Sequence, residues 1–161
     1  ASRIKIGHLL KSSHWKTKET LMFDSVLVAF DIAHEEHGIK ILKRARALCS
    51  ENAVLKVIYV GEEIPSYMEY AIPQDVIDEG VEDTRKRLKK LVAEHDHGAQ
   101  IIVSRGRPHI EILALADKMN ADLILTASHN PGIQDYLIGS TAARIVRHAQ
   151  CSVLIDRSNV H

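Results

Sequence analysis

Gly139-Ser140-Thr141 is the stretch of this chain best equipped for chemistry. An apolar run at 123–125 ends in the polar loop ASHNPG at 127–132. After Tyr136, Leu137 and Ile138 the chain reaches Gly139-Ser140, at the head of an amphipathic run. A helix that opens here presents unpaired backbone N–H groups and roughly half a positive charge. Gly139 lets backbone approach a ligand closely, and the Ser140 hydroxyl can cap the helix or bind an anion. Such a turn after a parallel strand is where α/β proteins hold phosphate. The same residues also make an ordinary loop end and N-cap, and local sequence leaves both roles open. Asp31 is the second candidate. It ends the apolar run DSVLVAF (24–30), so it faces a ligand crevice or caps the helix that follows. His129, in the ASHNPG loop, is the best candidate for an acid or base, and no partner for it is evident from sequence. His34 with His37, and the segment Glu94–Gly98 (EHDHG), carry metal-ligand types without a full set, so a solvated first turn and a helix end with its turn explain them better. Cys49 and Cys151 fit no metal or redox spacing and indicate a reducing compartment, hence a cytoplasmic protein.

The elements that position these residues follow from periodicity. Short apolar runs rich in valine and isoleucine predict strands at 24–30, 53–60, 99–103, 122–126 and 152–156. Helical spacing predicts helices at 34–50, 74–94, from 108 onward, and at 139–148. The first buries Ile39, Leu42, Ala45 and Cys49; the second buries Ile77, Val81, Thr84, Leu88 and Leu91; the third turns Ile110, Leu113 and Ala116 inward. The basic cluster Arg85, Lys86, Arg87, Lys89 and Lys90 belongs to a solvated helix face. Strands alternating with helices imply a parallel sheet covered on both sides. Across 161 residues, Lys+Arg and Asp+Glu balance at 21 each, which argues against a nucleic-acid-binding surface. Aromatic residues are 4% of the chain, too few for a base-stacking platform. No apolar run has the length of a membrane span. Residues 1–21 are basic and poorly periodic, and Met22 directly precedes the first strand. They are expected to be an added or disordered extension, with the domain at 22–157 and Met22 as its natural start.

Residues 22–157 resemble the universal stress protein family. The resemblance rests on MFDSVLVAFD, on GRPHIEILALADKMNADLILTASHNP and on YLIGSTAARIVRHAQCSVLIDR. The loop ASHNP and the helix IGSTAARIVRHA look most like the F/G-type bacterial members. The resemblance implies an α/β fold of the adenine nucleotide alpha hydrolase type, with an open five-stranded parallel sheet in the order 3-2-1-4-5. It also implies a homodimer, expected to form through the exposed last strand, and in many members an ATP site. The family pattern is Gly-x-x-Gly, nine residues, then Gly-Ser or Gly-Thr. Here Ala127 and Asn130 stand at the two glycines, and eight residues separate Asn130 from Gly139. Carried onto this chain, the pattern puts Asp31 at the ribose or at an ATP-bound Mg, and Val60 beside the adenine through its backbone. Ala29 stands where many members have proline. Ala127, Asn130, Gly139, Ser140 and Thr141 line the phosphates, with His129 in the same loop. The implied function is an ATP-binding regulator of stress response with little or slow hydrolysis. The alternatives are a nucleotide-free dimeric adaptor and an enzyme built on the same scaffold. A Walker segment is absent, and Asp31 is the one carboxylate placed to activate water.

Overall fold

The computed structural model describes residues 22–63, 71–128 and 138–157. They form a five-stranded sheet in the order β3-β2-β1-β4-β5, with every neighbouring pair parallel. The central strand β1 (Phe23–Ala29) lies between β2 (Cys49–Gly61) and β4 (Leu123–Ala127). Val26, Leu27 and Val28 are fully buried. A continuous apolar run survives there because helices cover both faces of the sheet.

The chain leaves β1 through Phe30 and Asp31 into a short 3-10 turn (Ile32–His34) and then α1 (Glu35–Leu48). Gly38, Ile41, Leu42 and Ala45 are the buried face of α1. Gly38 is needed for close approach: a Cβ there would lie 2.6 Å from the Phe30 ring. The helix ends two residues before the expected limit of 50. Cys49 turns extended, with φ −75 and ψ 143, and pairs with Phe23 as the first residue of β2. Cys49 is thus buried as strand rather than as helix stripe, and burial raises its thiol pKa.

Helix α2 (Gln74–Ala93) faces the sheet with Ile77, Val81, Thr84 and Leu88 as expected, but at its end Val92 rather than Leu91 is fully buried, and Leu91 is half-buried. Strand β3 (Gln100–Arg105) follows, then Gly106 and α3 (Pro108–Lys118). Gly106 has φ +139, a backbone conformation that glycine alone adopts readily. Within α3 the expected inner face needs correction. Ile110 is 46% exposed, whereas Ile112 and Ala116 are buried. The sheet-facing pair is Ile112 with Ala116, one turn apart, and a residue two positions away points nearly opposite. Asn120, at φ 49, closes α3: its N–H bonds to Asp117 O at 3.1 Å and that of Ala121 to Ala116 O at 2.8 Å. This is a Schellman ending with asparagine in place of glycine. Helix α4 (Ser140–His148) and edge strand β5 (Ser152–Asp156) complete the order.

Two cores result. The first lies under α1 and α2 and includes Val26, Val28, Phe30, Leu42, Leu88 and Leu125. The second joins Leu27, Ile58 and Ile124 to Ile112 and Ala116 of α3 and Ile145 of α4. Side-chain ties cluster at the amino ends of the strands. Asp122 accepts from the N–H of Asp24 (2.7 Å) and of Ser25 (3.1 Å), fixing the starts of β1 and β4 together. Asp96 takes a two-pronged bond from Arg46, at 2.6 and 2.8 Å, and a third from the N–H of Gly98 at 2.9 Å.

Candidate functional site

Strand order reverses between β1 and β4, and the crevice outside their carboxyl ends is where open α/β sheets take ligands. Two backbone donors at that end are already used. The N–H of Phe30 bonds to Ile58 O and that of Ser128 to Asp156 O, both at 2.8 Å. The start of α4 is different. Its first helical bond runs from Ala143 N–H to Gly139 O at 2.9 Å, so the N–H groups of Ser140, Thr141 and Ala142 lie ahead of it. Gly139 is the N-cap residue, at φ −53 and ψ 151, and it has no side chain to cap them. The expected Ser140 cap is therefore corrected. Ser140 sits one position too late, already inside the helix, and its side chain is exposed. The first turn of α4 holds no acidic residue, and its last turn holds Arg147 and His148. Anions are favoured at such an N-terminus by the helix dipole and the open donors together.

Asp31 stands at the end of β1 and fills its capping role. Its Oδ1 accepts from the Ala33 N–H at 2.9 Å, and Oδ2 lies 2.7 Å from His34 Nδ1. Its side chain is 51% exposed. A carboxylate offers about four acceptor positions, so capping leaves room for a hydroxyl or a hydrated cation. Ala29 and Val60 both pack into the second core, the one that α4 covers. They share the face and the end of the sheet with the α4 start. Ala127 turns the other way: it packs against the first core. Thr141 and Gly139 are half-buried. His129 and Asn130 lie outside the described residues, as does the extension at 1–21.

Sequence reasoning missed what holds the neighbouring rim. Gly106 N–H bonds to Gly61 O at 3.1 Å, joining the ends of β2 and β3 just past Val60. Ser104 donates to Glu111 at 2.5 Å, tying β3 to α3. The Arg-Gly-Arg-Pro turn was the available signal. On the α3–α4 side, desolvation and the neighbouring Arg144, Arg107 and His148 lower the pKa of His109. The metal candidates do not assemble: among the described residues no group of three His, Cys, Asp or Glu side chains is placed to hold an ion. Asp96 of the EHDHG segment is occupied by Arg46, and Asp31 takes His34. Among the described residues no helix is long and apolar enough to cross a membrane.

The universal stress protein family matches residues 22–157. Universal stress protein G of Shigella flexneri is 26% identical over 146 residues, covering 84% of this chain and 100% of that one. Universal stress protein A homolog 1 of Coxiella burnetii is 31% identical over 142 residues, covering 82% and 94%. Among solved structures, hypothetical protein MJ0577 superposes with a TM-score of 0.69 at 22% identity, covering 86% of this chain and 99% of its own. A universal stress protein in complex with cAMP gives 0.54 at 22% identity, with coverage of 84% and 98%. The Archaeoglobus fulgidus protein in complex with dAMP gives 0.52 at 15% identity, with coverage of 83% and 98%. The chain belongs to the universal stress protein family.

Proposed function

We propose that this protein binds an adenine nucleotide, ATP with Mg in particular, and acts as a nucleotide-dependent regulator in stress response with little or slow hydrolysis. The observation that carries the reading is the start of α4, where three backbone N–H groups precede the first helical bond without an N-cap side chain, beside the switch point of the sheet. Two structural neighbours were solved with adenine nucleotides, cAMP and dAMP, which supports the ligand class. In this reading the N–H groups of Ser140 and Thr141 and the Ser140 hydroxyl take phosphate oxygens, and Asn130 and His129 belong to the same site by the family pattern. Asp31 accepts from a ribose hydroxyl or holds the hydrated Mg. Ala29 and Val60 form the adenine wall. Ala127 in place of glycine is compatible, because it packs against the first core. Bound Mg would neutralise phosphate charge. Asp31, already held by the Ala33 N–H and His34, is poorly placed to act as a base as well.

The same reading takes residues 22–157 as the functional domain and a second copy of the chain as partner. β5 is the edge strand of the sheet, and Val153, Leu154 and Ile155 remain half-exposed in the single chain. Pairing along β5 would cover them. Mass spectrometry of small molecules released from freshly purified, denatured protein tests the ligand. An adenine nucleotide near one per chain is the expected result. Its absence, together with no uptake from added Mg-ATP, leaves a nucleotide-free dimeric adaptor. Light scattering gives the assembly state.

A further inference from the structure

The opposite face of the sheet carries a cavity that the nucleotide reading does not use. About 330 Å³ of open space lies between the amino-terminal half of α2 and the ends of β2 and β3. Tyr59 and Val103 make its floor, Ile77 and Val81 its ceiling, and Arg105 stands at the strand end. The strand alternation separates it from the nucleotide residues: Tyr59 and Val103 face the first core, whereas Val60 faces the second.

Three features mark this space as a site rather than loose packing. Gly80 borders it from the helix, and a Cβ added there would meet no atom within 4 Å. A glycine in the middle of a helix weakens it, and this exposed glycine leaves the flank of the slot without a side chain. Val76, on the same border, is 53% exposed, an apolar side chain without a cover. Arg105 forms no ion pair among the described residues. An apolar slot with one cation at its end matches a small molecule with an apolar body and one anionic head. The volume is at the small end of the range for ligand pockets, roughly 300–1,000 Å³.

We infer that the space under α2 is a second binding site, for a medium-chain carboxylate whose tail lies between Tyr59, Val103, Ile77 and Val81 and whose head pairs with Arg105. It is independent of the nucleotide site and lies on the other side of the sheet.

Octanoate is the probe, followed by calorimetry and by saturation-transfer NMR on the full chain, with 1-octanol and octylamine as comparisons. Octanoate should bind at micromolar to low millimolar concentration, 1-octanol more weakly and octylamine least. Arg105→Gln should weaken octanoate about tenfold and leave 1-octanol unchanged. Gly80→Leu should fill the slot and abolish binding of both while raising the melting temperature, since leucine is the better helix former. That rise guards against loss by misfolding. No octanoate binding at 10-millimolar order (about that concentration being a Kd of weak millimolar class), equal binding of octylamine, or undiminished binding to Gly80→Leu each overturns the assignment.

Discussion

Asp96 and Asp122 at the amino ends of the strands and Asp31 at the carboxyl end of β1 are used in opposite ways, whereas Asp156 at the carboxyl end of β5 is buried and paired with Arg44. At the amino ends, Asp96 has a side chain 5% exposed and takes both prongs of Arg46 and the Gly98 N–H. Asp122 spends both oxygens on the backbone of Asp24 and Ser25. At the carboxyl end, Asp31 is half-exposed, and beside it the α4 start offers N–H groups that no N-cap side chain takes. Both ends contain the same residue types. What separates a fold-holding aspartate from a ligand-facing one is how much of its acceptor capacity and surface the fold has consumed.

Identical substitutions at the two ends sharpen the contrast. The largest effect is expected from Asp96→Asn, which removes the charge-assisted fork from Arg46, itself 39% exposed; a loss of about 2 kcal/mol should appear as a melting temperature lower by roughly 4–8 °C. That contribution has a pH signature. Burial alone would raise the Asp96 pKa, but the Arg46 fork and the Gly98 and Ala99 N–H groups outweigh it and hold it below 3.8. A depressed folded-state value means the stabilisation is present in full above that pH and disappears as pH falls through the folded value. The gap between wild type and Asp96→Asn should therefore be constant near neutrality and close in strong acid, as read by denaturant unfolding. Asp122→Ala comes next in its effect on stability. It strands the part-buried N–H of Ser25, while the exposed N–H of Asp24 can turn to water, costing about 1 kcal/mol.

Asp31→Asn should behave differently from Asp96→Asn. Asparagine keeps an oxygen for the Ala33 N–H, so stability should stay within about 0.5 kcal/mol, while Mg-ATP affinity drops around tenfold, about 1.4 kcal/mol. The smallest effect is that of Ser140→Ala. Ser140 is past the N-cap, so no cap is lost, and removing one neutral hydrogen bond should weaken Mg-ATP about fivefold, near 1 kcal/mol. A substantial drop in melting temperature for either variant would erase the distinction between the two ends.

Much of this was legible in the sequence. Strands and helices follow from apolar runs and helical spacing because each is a local, repeated signal. The switch-point position of Asp31 and Gly139 followed from that order with the family resemblance. Errors arose where one residue of phase decides the outcome. Ile110 and Ile112 are equally apolar, and only the docked position of α3 selects the latter. Ser140 and Gly139 are both good cap candidates, and the true helix start selects glycine. The Arg46–Asp96 clamp joins residues 50 apart, and no periodicity carries such a pairing. The space under α2 arises from the distance between a helix and a sheet, which no single stretch of chain encodes.

The nucleotide reading stands on phosphate being held at the start of α4. Calorimetric titration with Mg-ATP, on wild type and Gly139→Asp side by side, tests it most directly. Gly139 has φ −53, accessible to any residue, and aspartate is a good N-cap, so the variant should fold and melt at or above the wild-type temperature. Its carboxylate would take the open N–H groups and set a negative charge against the phosphates. Wild type is expected to bind, and folded Gly139→Asp to bind at least about tenfold more weakly. Equal affinity in the folded variant, or no binding by wild type, would contradict the claim.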